Sequence, residues 1–407
     1  MSEGWTSPSW RVTQKEDPAG RPGLPPAQGW ANLPHPSPKM PHLTPSRRLR
    51  RTPYSEKVEA AGVRAYTVYN HMLLPTVFRD LEEDYHHLKE SVQIWDVSVQ
   101  RQVELRGPDA QRLLQMLTPR DLQGMLPGRC AYVPIVDETG GMLNDPVALK
   151  LSADRWWISL ADSDLLYWVK GIAYGYRLEV LIDEPPVYPL AVQGPRAEDL
   201  LARVFGEEVR RVRFFRFGWF DFRGRDLLVA RSGYSKQGGF EIYPEGWELG
   251  RPLWEALEAA GTDLGVRAGC PNGIERVESG LLSYGNDMTD DNTPHECGLG
   301  RFCDTQRAAG CIGRDALLRV EKDGPVQQVR PVAIGGDPVP PCDRFWTVRG
   351  ARGEPVGRIG SAAWSPDFRT NVAIGMIRLT HWDPGTRLEV ETPDGPRPAE
   401  VQDRFWY

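Results

Sequence analysis

The stretch Asp137-Glu138-Thr139-Gly140-Gly141-Met142-Leu143-Asn144-Asp145-Pro146-Val147-Ala148-Leu149-Lys150 sets a glycine turn in front of an apolar strand that carries an amide and a carboxylate just before a proline. The glycines supply positive φ for the turn, and the residues after them read as the returning strand of a hairpin. A carboxylate at Asp145 is then either a turn-capping group at the sheet edge or a buried acceptor facing a pocket, because a charge inside an apolar strand is costly without partners. Upstream, residues 131–136 read as the outgoing strand. Pro108 opens a helix whose apolar positions keep helical spacing to residue 117, and residues 102–107 alternate as a half-buried strand does. Residues 92–97 and 155–161 are further strands of this group. These alternations predict an α+β fold with mostly antiparallel pairing.

Two later stretches carry similar punctuation. Ser232-Gly233-Tyr234-Ser235-Lys236-Gln237-Gly238-Gly239-Phe240-Glu241-Ile242 releases the backbone at its glycines before a strand that bears Glu241. Arg276-Val277-Glu278-Ser279-Gly280-Leu281-Leu282-Ser283-Tyr284-Gly285-Asn286-Asp287 is a charged pair on a helix running into a glycine turn. Ahead of them, residues 214–223 and 227–231 pair as a hairpin across Gly224-Arg225-Asp226. Their arginines and aromatics could also stack on a nucleic acid, but the acidic balance of the chain favours a hairpin with one buried face. From about residue 325, short strands separated by Gly and Pro, clearest at 329–334 and 372–377, predict a small β-barrel or sandwich.

The chain has 407 residues, with 49 Lys+Arg against 55 Asp+Glu and a formal charge of −6. That balance disfavours a nucleic-acid or anionic-membrane partner, which needs a positive field. No run of about eighteen apolar residues occurs, and the N-terminus lacks the layout of a signal peptide, so a cytoplasmic protein without a membrane partner is expected. The six cysteines include no C-x-x-C pair and the seven histidines no H-E-x-x-H, so neither a disulfide framework nor a bound metal is expected. The first fifty residues hold ten of the 36 prolines and end in Arg47, Arg48, Arg50 and Arg51. A disordered leader over residues 1–52 is predicted, either a docking tail or simply solvated chain, with the folded body starting at residue 53.

Familiar cofactor motifs are missing. There is no P-loop and no G-x-S-x-G elbow, and Gly298-Leu299-Gly300-Arg301-Phe302-Cys303 lacks the third glycine and the strand-turn-helix setting of a dinucleotide fingerprint. Taken in order, the G-G-x-x-N-D strand, the S-G-Y…G-F-E-I stretch and the R-x-E-x-G-x-x-x-Y-G-N-D-M-T stretch resemble the aminomethyltransferase (T-protein) family of the glycine cleavage system. Trp95-Asp96-Val97-Ser98, Pro294-His295-Glu296-Cys297-Gly298-Leu299-Gly300 and Val356-Gly357-Arg358-Ile359-Gly360-Ser361 followed by Ser365-Pro366 extend the resemblance to roughly residues 60–400. It implies a tetrahydrofolate-dependent one-carbon transferase. The implied architecture is a folate-binding core of two similar subdomains over residues 53–324 and a C-terminal β-barrel domain over 325–407, around a central channel.

Around the folate the resemblance places Tyr132, Asn144, Asp145, Tyr234, Glu241 and Arg276. A carboxylate can accept paired N–H bonds from a 2-amino-pteridinone edge, tyrosine rings can cover its faces, and a carboxylate near the folate nitrogens can steer their protons. Asn144-Asp145 stands where the family usually has two aspartates, and Gly233-Tyr234-Ser235-Lys236-Gln237 where it has G-Y-T-G-E. Residues 66–78, 93–103 and 144–150 look like the dimethylsulfoniopropionate demethylase branch, which moves a sulfonium methyl to tetrahydrofolate. Tyr66, Tyr69, His71 and Trp95 could then cage a small methylated cation, or be ordinary core packing. An N- or O-methyl donor would instead need a proton, from His71 or Tyr69, so Asp145, Tyr69 and His71 are the candidate catalytic groups. The same-fold alternatives are an aminomethyltransferase served by a lipoyl carrier protein and a folate-dependent O- or N-demethylase. The different-class alternative is a folate-binding regulatory or repair protein.

Overall fold

The computed structural model describes residues 46–407. One five-stranded sheet is built from Gln102–Arg106, Arg129–Tyr132, Val147–Lys150, Arg155–Ser159 and Leu181–Asp183, with helices Ala110–Leu117 and Leu165–Gly175. A second sheet holds Leu190–Gln193, Phe217–Phe222, Arg225–Ala230, Gly239–Tyr243 and Arg267–Gly269, with helices Ala197–Phe205 and Gly250–Ala260. Both units run strand, helix, three strands, helix, strand along the chain. In space both order their strands fifth, first, fourth, third, second, except that the second sheet admits Gln93–Asp96 between its fifth and first. Gly107-Pro108 and Gly194-Pro195 occupy the equivalent strand-to-helix turns. The expected pair of similar α+β subdomains is therefore present.

Strand alternation sorts the core into layers. Val103 and Leu105 pack with Leu113, Leu114 and Val169 on the helix side of the first sheet, and Ile94, Val192 and Ile242 pack with Leu200, Leu201 and Trp254 on that of the second. The opposite faces meet, with Cys130, Leu149 and Trp157 against Phe217, Leu228 and Tyr243. Each fully buried large apolar side chain stabilises this packing by about 1.5–3 kcal/mol.

The third unit is a closed barrel of Gln327–Ile334, Trp346–Arg349, Pro355–Ser365, Thr370–Arg378, Arg387–Thr392 and Gly395–Val401, as the change of pattern near residue 325 predicts. Two expected strands are interrupted. Residues 131–136 break at Val133-Pro134, and the strand after the glycine turn breaks into Met142–Asn144 and Val147–Lys150 around Asp145-Pro146. Neither proline can donate to a ladder, and the second break takes Asp145 out of regular pairing. Of the predicted leader, residues 1–45 lie outside the described residues. Residues 46–52 instead join the body: the Arg50 N–H donates to the His71 carbonyl at 2.8 Å, its guanidinium pairs with Glu184 at 2.7 Å, and the Thr52 hydroxyl donates to Asp96 at 2.5 Å. No helix among the described residues is long and apolar enough to cross a membrane.

Candidate functional site

The site begins at the glycine turn. Gly140 takes φ +81°, and a Cβ on Gly141 would stand 2.3 Å from the Asp290 carbonyl oxygen, so only glycine lets this hairpin meet the loop 287–292. Met142 donates to the Asn292 carbonyl at 2.8 Å and accepts from the Tyr284 hydroxyl at 3.0 Å. The hairpin so fixed divides the labour of its polar pair. Asn144 is spent on the neighbouring turn, with its amide donating to the Ala161 carbonyl and Ser163 hydroxyl and its oxygen accepting from the Ala161 N–H. Asp145 points the other way. The Tyr132 hydroxyl donates to its Oδ2 at 2.7 Å, while its Oδ1 is enclosed and has no hydrogen-bond partner among the described residues. Burial raises the Asp145 pKa to about 7, and the Tyr132 hydrogen bond only partly opposes it.

Four tyrosines influence that carboxyl. Tyr69, Tyr132, Tyr234 and Tyr284 all lie within electrostatic reach of Asp145, and burial pushes each phenol up, Tyr284 to about 12. Tyr234 is positioned by donating to the Leu281 and Leu282 carbonyls at 3.0 and 2.8 Å. Tyr69 ends the strand Ala65–Tyr69, and the two-residue turn Asn70-His71 that follows takes positive φ at both positions. Asn70 anchors this turn to the Val99 and Ala161 carbonyls.

The other expected residues divide. Trp95 is buried against Leu88, Val97, Ala191 and Tyr234, with its indole N–H on Gln93 Oε1 at 2.8 Å, so it borders the site through Tyr234. Glu241 shares the sheet face of Trp95 one strand beyond Ala191, and its Oε2 accepts from the Ser232 and Tyr243 hydroxyls. Its Oε1 has no protein partner among the described residues, and burial raises its pKa. Arg276 is committed: its guanidinium pairs with the wholly buried Asp287 at 2.8 Å and donates to the Leu281 carbonyl and the Ser361 hydroxyl, while Ser361 also donates to Asp287 at 2.6 Å. That network ties the helix Gly273–Glu278 to the barrel. His71 and Tyr66 are not brought to Asp145. His71 is exposed at the hairpin tip, 3.5 Å from Asp164, and Tyr66 lines an outer cavity of about 220 Å³ with Arg51, Thr52, Glu59 and Asp96. The reason is local: His71 sits in the turn itself, and Tyr66, three residues before Tyr69 on the same strand, leaves by the opposite face.

Sequence reasoning gave no role to Tyr284, Asp287 or Cys297. The first two stand in the quoted Y-G-N-D run, which was the available signal. Cys297 is buried within electrostatic reach of Asp145 and Asp287, and its thiol is pushed well up. Among the described residues no group of three or more His, Cys, Asp or Glu could hold a metal ion.

Comparison with known proteins agrees with this architecture. Residues 54–307 match the model of the GCVT N-terminal domain, and residues 330–407 that of the glycine cleavage T-protein C-terminal barrel domain. The chain is 61% identical over 367 residues to dimethylsulfoniopropionate demethylase DmdA of Ruegeria pomeroyi, covering 90% of this chain and 100% of that protein. It is 28% identical over 343 residues to an aminomethyltransferase of Caldanaerobacter subterraneus, covering 82% and 90%. The crystal structure of the glycine cleavage system aminomethyltransferase T from Bartonella henselae superposes with a TM-score of 0.79 at 23% identity, over 88% of this chain and 98% of that one. The two subdomains, the barrel and the ordered motifs thus have one common source, and the chain belongs to the glycine cleavage T-protein family.

Proposed function

We propose that this protein is a tetrahydrofolate-dependent demethylase that moves a methyl group from dimethylsulfoniopropionate to tetrahydrofolate. The observation that carries the reading is the 61% identity to a dimethylsulfoniopropionate demethylase along the whole of that protein. The side chains fit a pterin. Asp145 and Glu241 are two buried carboxylates, each with one oxygen satisfied by the protein and the other free to accept the N–H groups of a 2-amino-pteridinone. Tetrahydrofolate would supply N5 as the nucleophile that takes the methyl group.

This chain's residues then have two tasks. Tyr69, Tyr132, Tyr234 and Tyr284, all within electrostatic reach of Asp145, would present ring surface to a methylated cation, each such contact being worth about 0.5–2 kcal/mol. Asp145, with a pKa near 7 and an Oδ1 that has no hydrogen-bond partner among the described residues, can take up the proton that the attacking nitrogen must shed. No strong acid is required, because a sulfonium leaves as a neutral thioether. The site matches that demand, since its phenols are all pushed to higher pKa and His71 stands outside it. The test is to incubate the protein with tetrahydrofolate and dimethylsulfoniopropionate, and in parallel with methylated ammonium and methoxy compounds. Mass spectrometry should find 5-methyltetrahydrofolate and 3-(methylthio)propionate with the sulfonium alone.

A further inference from the structure

Beside the site lies a cationic feature that the account above does not use. Arg120 donates to the Tyr132 carbonyl at 2.7 Å, and its guanidinium carbon lies 5.2 Å from the centroid of the Phe302 ring. Arg301 lies over the same ring at 4.8 Å. Phe302 in turn packs edge-on against the Tyr132 ring, with centroids 5.1 Å apart, and the Tyr132 hydroxyl holds Asp145. Among the described residues neither arginine has a carboxylate within 4.0 Å; Arg301 is exposed, but Arg120 is partly buried, and most other partly buried arginines, such as Arg101, Arg155, Arg231 and Arg276, are paired with acids. Burial of Arg120 lowers its pKa, with no acid offsetting that cost. Two guanidiniums drawn to one ring repel each other, and aromatic contact only partly compensates. A negative ligand resolves the conflict, and guanidiniums present forked donors suited to carboxylates.

Resting on the proposed function, we infer that Arg120 and Arg301, gathered over Phe302, form a carboxylate-binding subsite next to the methyl-transfer centre. Both reactants carry a carboxylate: the propionate of the donor and the glutamate of the folate. The Gly298-Leu299-Gly300-Arg301-Phe302-Cys303 run, which fails as a dinucleotide motif, gains a purpose as the loop that brings Arg301 and Phe302 to Tyr132.

The test is calorimetric binding to the full chain of two probes that need no turnover, 3-(methylthio)propionate and p-aminobenzoyl-triglutamate, each beside its neutral amide. Wild type should bind at least one acid, and Arg120→Gln should weaken that binding by about tenfold or more without changing binding of the amide. Arg301→Gln, at an exposed position, should act in the same direction if Arg120→Gln compromises folding. Loss confined to the thioether acid assigns the subsite to the donor, and loss confined to the glutamate probe assigns it to the folate tail. Failure of both acids to bind wild type, or equal effects on acid and amide, overturns the subsite. Absence of methyl transfer by a wild type that still binds an acid through Arg120 would overturn the demethylase reading instead.

Discussion

The Tyr132 hydroxyl donates to Asp145 Oδ2 at 2.7 Å while Asp145 Oδ1, on the same carboxyl, is enclosed without a hydrogen-bond partner among the described residues. A carboxyl held on one side and unpartnered on the other is a poised acceptor. Its elevated pKa makes it sensitive near neutral pH.

That elevation has a consequence for stability. The folded pKa of Asp145 lies above the ordinary aspartate value, so the fold favours the neutral form. Stability from this group is complete below about pH 4 and is lost as pH rises through about 7. Asp145→Asn should remove this dependence, making the variant more stable than wild type at pH 8 by about 1–4 kcal/mol and nearly equal to it at pH 4. Urea denaturation at the two pH values measures it, and parallel profiles for the two proteins would contradict the assignment.

Glu241 should act on folate rather than on the fold. Removing a carboxylate that accepts ligand donors leaves those donors unpaired, so Glu241→Gln should weaken tetrahydrofolate binding by about 1–3 kcal/mol in calorimetry. Unchanged affinity would remove Glu241 from the site.

The Arg276–Asp287 pair should behave in the opposite way. With Asp287 wholly buried and Arg276 only 15% exposed, Asp287→Asn strands a charge and should destabilise the protein by about 3 kcal/mol. A loss below 0.5 kcal/mol by chemical denaturation, a value that surface changes commonly give, would show that the network is not structural.

Donor chemistry separates Tyr69 from His71. Tyr69→Leu should raise the apparent constant for a sulfonium substrate several-fold, because it removes an aromatic ring within electrostatic reach of Asp145. His71→Gln should leave the single-turnover rate within about twofold, because its imidazole lies at the exposed hairpin tip. Collapse of the chemical step in the His71 variant would favour a donor whose leaving group must be protonated.

The fold was legible where local chemistry is loud. The glycine turn, the Pro108 helix start and the Gly/Pro spacing after residue 325 each produced the expected element. The breaks at Pro134 and Pro146 were less legible, because a continuous apolar run conceals which proline interrupts pairing. The family resemblance implied Tyr132, Asp145, Tyr234 and Glu241; the fold brings the first three together, and Glu241 shares a sheet face with Trp95, which packs on Tyr234. The commitments of Arg276 to Asp287 and of Asn144 to the Ala161 turn were not legible, since a polar residue in a motif looks the same whether its partner is ligand or protein. His71, expected beside Tyr69 from the segment 66–78, stands instead at the exposed hairpin tip, because the turn Asn70-His71 takes positive φ at both positions.

Methyl transfer from a sulfonium can be followed by the fate of its label. The full chain is mixed with tetrahydrofolate and dimethylsulfoniopropionate labelled with deuterium in its S-methyl groups, and the folate pool is analysed by mass spectrometry after a single turnover. One trideuteromethyl group should appear on tetrahydrofolate per 3-(methylthio)propionate released. Unlabelled folate with intact dimethylsulfoniopropionate, under conditions where a methoxy or aminomethyl compound does transfer its carbon, would contradict such transfer.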